Sequence, residues 1–331
     1  MKIFRFRLHP LLARVVQALP VALMVVILNF FLLKSVPGDL ADVIAGEAGA
    51  ATPEFMAQLR AQFGSDQPLM VQFFAYLKNI LSGDLGWSFR YSESVSQLIA
   101  ERLSSTLLLM GVALLIAVTL GTLLGVIAAV TRKPAIERLI GLIATLGFAM
   151  PVFWLGLMVV VVFTVRLGWL PSSGDSTMGA DFTGLARIWD VTRHLLMPAG
   201  CLAFSYLALY IRLMQESVRG VALQDFIRTA RAKGCSRFRL IWRHIIPNAL
   251  LPVVTLTGLQ FGAMLSGSVT IETVFAWPGL GQLALSAVST RDVNLLLGIL
   301  FVTSLFVVVV NLLTELTHAA IDPRSRSGGH L

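Results

Sequence analysis

Six long stretches of this chain contain no Asp, Glu, Lys or Arg: Val15–Leu33, Leu103–Val130, Leu139–Val165, Leu195–Ile211, Ala249–Ile271 and Val293–Leu313. Nothing else in the sequence restricts the fold as strongly. A helix that crosses a bilayer needs roughly 20 mostly apolar residues. Inside the hydrocarbon every backbone N–H and C=O must be satisfied within the segment, which selects helices over open sheets. Leu195–Ile211 reaches the required length only with flanking residues. Over the whole chain 56% of residues are apolar and 13% charged, against about 25% charged in ordinary soluble domains. So few charges cannot build a water-facing shell, and a disordered chain would be more polar. The expected fold class is an all-α polytopic membrane protein with six transmembrane helices. Pro151 lies inside the third run, where its missing N–H predicts a kink or a break. A full break would split that run in two.

Lys2, Arg5, Arg7 and Arg14 precede the first run, as in a signal peptide. That run is longer than the usual apolar core of such a peptide and no A-x-A site closes it, so a retained span is expected. Placing the N-terminus inside puts 17 of the 26 Lys and Arg residues on the inner side, in 1–14, 131–138, 212–248 and 319–331. This bias orients the chain with both termini in the cytoplasm. The expected organisation is an N-terminus and first span in 1–34, an external loop region in 35–102, a five-span core in 103–318 and a tail in 319–331. In the first external loop, Thr52-Pro53-Glu54 reads as a helix start. The second, Leu167–His194, is rich in Gly and Pro and reads as irregular. Gly121-xxx-Gly125 and Gly258-xxx-Gly262 have the spacing that lets two backbones approach in lipid, and packing within the chain is the expected use.

The internal loop 212–248 is the most informative segment. It holds eight basic residues against Glu216 and Asp225. Asp225-Phe226-Ile227-Arg228-Thr229-Ala230-Arg231-Ala232-Lys233-Gly234 reads as a short helix. Asp225 caps its start, Lys233 suits the negative end of its dipole, and Gly234 supplies the left-handed stop. Ser236 caps a second helix, on which Phe238, Ile241, Trp242 and Ile245 share one face and Arg239 and Arg243 another. Pro247 marks the start of the fifth span. Taken alone, such an element also suits adsorption to anionic lipid.

Arg228-Thr-Ala-(xxx)-Gly234, followed nine residues later by His244-Ile-Ile-Pro247, resembles the EAA loop of ABC importer permeases. That pattern runs Glu-Ala-Ala-xxx-Gly and then Ile-x-Leu-Pro. Glycine, proline, their spacing and the second alanine match; Arg228, Thr229, His244 and Ile246 depart from it in the manner of the dipeptide/oligopeptide branch. The resemblance extends along the chain. Pro37-Gly38-Asp39, Gly83–Phe89, Arg166–Pro171, Glu272–Gly281 and Asp322-Pro323-Arg324 match stretches of that branch in the same order and topological slots.

The resemblance implies a type I permease fold in a bacterial inner membrane. It implies a second, homologous permease subunit, two ATPase subunits that bind ATP and Mg, and a periplasmic or lipid-anchored solute-binding protein. This chain itself would carry no cofactor. Asp225–Gly234 would be the cytoplasmic coupling helix, with Phe226, Ile227 and Ala230 as apolar contacts and Arg228, Arg231 and Lys233 facing acidic ATPase residues. The turn holding Glu272, Trp277, Pro278 and Gly279 would face outward, where it could reach the binding protein or serve only as a structural turn.

Other functions have less support. No lysine follows a glycine, so the phosphate-cradling G-x-x-x-x-G-K-[ST] loop is absent. An ion-coupled secondary transporter or channel usually places ionisable groups at mid-membrane, and the six runs have none. Glu315 sits near the inner end of the last span beside His318, where snorkelling or local pairing is expected. The histidines are scattered without H-E-x-x-H, and the basic loop is tethered between two spans, which speaks against nucleic acid. Cys201 and Cys235 form no motif, and a disulfide between them is not expected.

Overall fold

The computed structural model describes residues 10–35, 67–88 and 90–321. The expected helix start at Thr52, the Pro37-Gly38-Asp39 match and the Asp322-Pro323-Arg324 match lie outside them. Helices dominate: α1 (Pro10–Ser35), α2 (Leu69–Leu81), α3 (Val95–Val130), α4 (Pro134–Ala149), α5 (Val152–Val160), α6 (Gly184–Ala222), α7 (Asp225–Ala232), α8 (Arg237–Leu240), α9 (Ile246–Ala249), α10 (Leu251–Val274), α11 (Leu280–Thr290) and α12 (Val293–Ile321). A π-helical stretch, Val161–Arg166, extends α5, and another, Ile241–Ile245, joins α8 to α9. Strands β1 (Trp87–Ser88) and β2 (Glu93–Ser94) form a short antiparallel ribbon, pairing Trp87 with Ser94 and Ser88 with Glu93.

Five helical runs are long and apolar enough to cross a membrane, and the bent pair α4–α5 brings the number to six. The bend at Met150-Pro151 is 104°, the break rather than the kink of the two outcomes expected there. Proline excludes the helical region for the residue before it, and Met150 is extended at ψ 128°. At 1.5 Å per residue neither half covers the roughly 30 Å hydrocarbon layer alone.

The chain divides into two compact units, one of residues up to Glu101 with Ala284–Val308, the other of Arg102–Leu283 with the residues from Val309 onward. In the first unit Phe30 of α1 packs edge-on against Phe73 and beside Tyr76 of α2. The buried Asn29 amide donates to the Tyr76 hydroxyl at 2.8 Å and to the Leu297 carbonyl at 3.3 Å. Asp292 caps α12, accepting from the Leu295 N–H with one oxygen and from the Ser88 hydroxyl of β1 with the other.

In the second unit α6 is the central column. Cys201, Leu202, Ala203, Tyr210, Ile211 and Met214 are all buried. Lipid supplies no hydrophobic drive between helices, so contact depends on close packing through small residues. The glycines show it. A Cβ on Gly121 would come within 2.5 Å of Tyr210 Cβ, and one on Gly125 within 2.7 Å of the Ile211 carbonyl oxygen, so α3 lies directly on the α6 backbone. Gly147 of α4 meets the Phe204 carbonyl in the same way, and Gly258 of α10 is closed over by Thr314 of α12. These are contacts within the chain, as the spacing predicts. Cys201 and Cys235 are both free. Glu315 lies on an exposed face of α12.

Candidate functional site

α6 ends at Ala222, and only Leu223 and Gln224 separate it from α7. Gln224, not Asp225, is the N-cap residue. Asp225 is the first helical residue, and its carboxylate receives the Arg228 guanidinium at 3.4 Å across an exposed i,i+3 pair. A negative charge there still complements the helix dipole. At the other end Gly234 has φ +80°. The Gly234 N–H reaches the Arg231 carbonyl at 3.0 Å and the Cys235 N–H the Ala230 carbonyl at 3.2 Å. That pair of bonds is a Schellman stop. No heavy atom lies within 4 Å of a Cβ added at Gly234, so glycine is required by conformation and not by space.

Ile227 is 0% exposed and joins Val218, Val221, Leu240, Ile245 and Ala249 in the main core cluster, with Ala230 packed against it. This corrects the expected apolar contacts: Ile227 and Ala230 fasten α7 to its own chain. Phe226, 41% exposed, remains for an external surface, and the neighbouring Leu223 joins it. Thr229, whose hydroxyl donates back to the Asp225 carbonyl, is exposed, as are Arg228, Arg231, Ala232 and Lys233. A basic face with one aromatic therefore points away from the core.

Two ties brace the seat of α7. Arg219 on α6 pairs with Glu137 on α4 at 2.7 Å. Arg237 donates to the Val130 carbonyl at 2.6 Å, closing the C-terminal end of α3. Neither was legible in sequence, since the partners lie 82 and 107 residues apart.

Ser236 caps α8 as expected, accepting from the Arg239 N–H. The expected apolar face of the second helix is divided, however. Leu240 and Ile245 are buried, Ile241 is half-buried, and Phe238 and Trp242 are 72% and 56% exposed. The π-helical turn explains this, because i→i+5 bonding places Leu240 and Ile245 on one side. Pro247 sits just after that turn, inside the continuing helix, where its ring and missing N–H disfavour the regular i→i−4 pattern. The Asn248 side chain donates to the His244 carbonyl at 2.7 Å.

The turn after α10 is built the opposite way. Glu272 is 0% exposed and Trp277 1%, with Gly279 also buried and Pro278 half-buried. Glu272 Oε1 accepts from the Thr106 hydroxyl at 2.8 Å, and Oε2 accepts from the Gln282 N–H at 3.0 Å. Thr106 Oγ1 in turn accepts from the Leu280 N–H at 2.8 Å. Two of the unpaired N–H groups that open α11 are thereby satisfied, with a carboxylate at the positive end of its dipole. A Cβ on Gly279 would overlap the Glu272 carboxylate, and one on Gly281 would lie 2.8 Å from Oε2. Trp277 Nε1 donates to the Ser105 carbonyl at 3.0 Å. This Glu-Trp-Pro-Gly turn is a buried clasp on α3 and not an outward-reaching loop. Thr106 and Gln282, its other members, gave no sequence signal.

The apolar helices, the broken third span and the exposed basic helix are those of a polytopic membrane protein. Comparison with known proteins gives the class its family. The model of the binding-protein-dependent transport system inner membrane component matches residues 121–327, and its N-terminal companion matches 4–110. The chain belongs to this family of transport permeases. A Brucella suis biovar 1 chain described as a peptide permease protein is 43% identical over 97% of this chain and 98% of its own length. The glutathione transport system permease of Salmonella paratyphi A is 38% identical over 96% and 99%. Among solved structures, an inward-facing form of the MetNI methionine ABC transporter superposes with a TM-score of 0.56 at 16% identity, covering 68% of this chain and 97% of that one. This last likeness supports the type I importer fold. The chain is a multi-pass inner membrane permease subunit of an ATP-binding cassette importer, which disposes of the ion-coupled alternative.

Proposed function

We propose that this subunit forms half of the pore for peptides or similar small solutes and receives mechanical work at α7. The carrying observation is the construction of α7: a basic face turned outward, an isoleucine driven inward, and a two-residue link to the central column α6. Peptide as solute is supported by the relatives named peptide and glutathione permeases. ATP and Mg would be held by two partner ATPases, with Phe226 in a groove and Arg228, Arg231 and Lys233 beside acidic residues. A second permease would complete the pore, and a periplasmic or lipid-anchored binding protein would deliver the solute. The Lys and Arg bias supports placing α7 and both termini in the cytoplasm. The reassigned Glu272–Gly279 turn is left with the structural role.

The test uses the whole transporter in proteoliposomes. Phe226→Ala with Arg231→Gln should leave the assembled permeases intact and lower binding-protein-stimulated ATP hydrolysis and peptide uptake by about tenfold, as for loss of two interface contacts worth about 1.4 kcal/mol together. Unchanged stimulation would overturn the role of α7.

A further inference from the structure

We infer that the exposed face of α8 and the π turn, built by Phe238, Arg239, Trp242 and Arg243, is a binding surface for anionic lipid headgroups. Every other apolar side chain of Arg237–Ile245 turns inward, whereas Phe238 and Trp242 stay largely exposed. Their rings lie against each other, centroids 6.0 Å apart and tilted by 45°. Arg239 and Arg243, each one residue further along, are exposed beside them.

Three observations select a membrane as the occupant. First, the helix bearing the pair runs on into a span: Arg237–Leu265 qualifies as one apolar membrane-crossing run. Trp242 lies seven residues before the charge-free stretch beginning at Ala249, about 10 Å along the axis. That is the outer margin of the headgroup layer, about 5–8 Å thick on each side. Second, Trp at a span end with Arg beside it is the composition of the membrane–water boundary, where the ring sits among headgroups and the guanidinium reaches phosphate. Third, no acidic residue occurs between Asp225 and Glu272, while six basic ones do. An acidic protein surface would answer the arginines equally well. It would not account for an exposed aromatic pair at the foot of a span.

The lipid contact fixes the depth of the α7–α8 turn. Its effect on transport rests on the coupling role proposed for α7; the contact itself does not.

The assembled transporter in nanodiscs tests it, with the signal of Trp242 obtained by subtracting the fluorescence of a Trp242→Phe variant. Lipids brominated high on the acyl chain should quench that signal more than lipids brominated near the chain end. Quenching should rise when anionic lipid is included. Arg239→Gln with Arg243→Gln should lower the preference for anionic lipid by about fivefold or more, on the usual worth of a basic residue at an anionic surface. If Trp242 escapes brominated lipid but is shielded from iodide, it is buried against a protein partner and the inference fails. If it escapes lipid and is open to iodide, it faces solvent and the inference fails equally. Normal quenching with unaltered uptake in the arginine variant would keep the lipid site and remove its link to coupling.

Discussion

The chain has two motif-bearing turns that look alike in sequence, each a short run of Gly, Pro or charge between apolar helices. One, Asp225–Gly234, is fastened by Ile227 and Ala230 and leaves its charges in the open. The other, Glu272–Gln282, hides its charge completely and directs it to neutral donors of the same chain. A basic face that stays exposed is available to another molecule. A carboxylate whose oxygens are already occupied is not. Motif strength alone did not distinguish the exposed turn from the buried one; the fate of the polar atoms did.

Substitutions can break this contrast, beginning with the clasp. Glu272→Ala strands the Thr106 hydroxyl and the Gln282 N–H in a buried site, where each orphan costs about 1–3 kcal/mol. Loss of about 3–5 kcal/mol is expected, seen as a sharply lower melting temperature in detergent and poor recovery of assembled transporter. Ile227→Ala should come next, at about 2–4 kcal/mol for a fully buried isoleucine. Because that loss falls on the seat of α7, limited proteolysis should show cleavage after Arg228 or Arg231 while the spans stay protected. Gly234→Ala should cost about 1–2 kcal/mol from its positive φ. Larger residues should do no worse than alanine, since the space is open; a graded loss with side-chain size would refute the conformational account. Phe226→Ala should change stability least, within about 0.5 kcal/mol, yet reduce stimulated ATP hydrolysis. If it destabilised the permease as much as Ile227→Ala, the division between inward and outward faces would be wrong.

The spans were legible because lipid imposes a crude, one-dimensional demand: some 20 residues without charge. Gly234 and Ser236 were legible because helix ends are local chemistry. Three things were not. The direction of Ile227 depends on which side of an eight-residue helix meets α6, and both candidate faces were apolar enough. The exposure of Phe238 and Trp242 depends on a π turn, which shifts the helical period by more than a pattern of apolar residues can reveal. The Glu272 clasp depends on Thr106, an ordinary hydroxyl in an apolar run 166 residues away. The family-like motif at Glu272–Gly281 did register that something was fixed there. Its glycines prove to be the room left for a carboxylate.

Pro198 lies inside α6, with the unbroken segment from Ala199 to Ala222 beyond it. A proline cannot complete the backbone bond to the fourth residue before it, and helices bend most readily at such points. Twenty-four residues make a lever of about 36 Å. Swinging about Pro198 by about 10° would carry the end that holds α7 through about 6 Å. The two-residue joint at Leu223-Gln224 leaves almost no slack, so such a tilt of α6 would pass almost undiminished to α7.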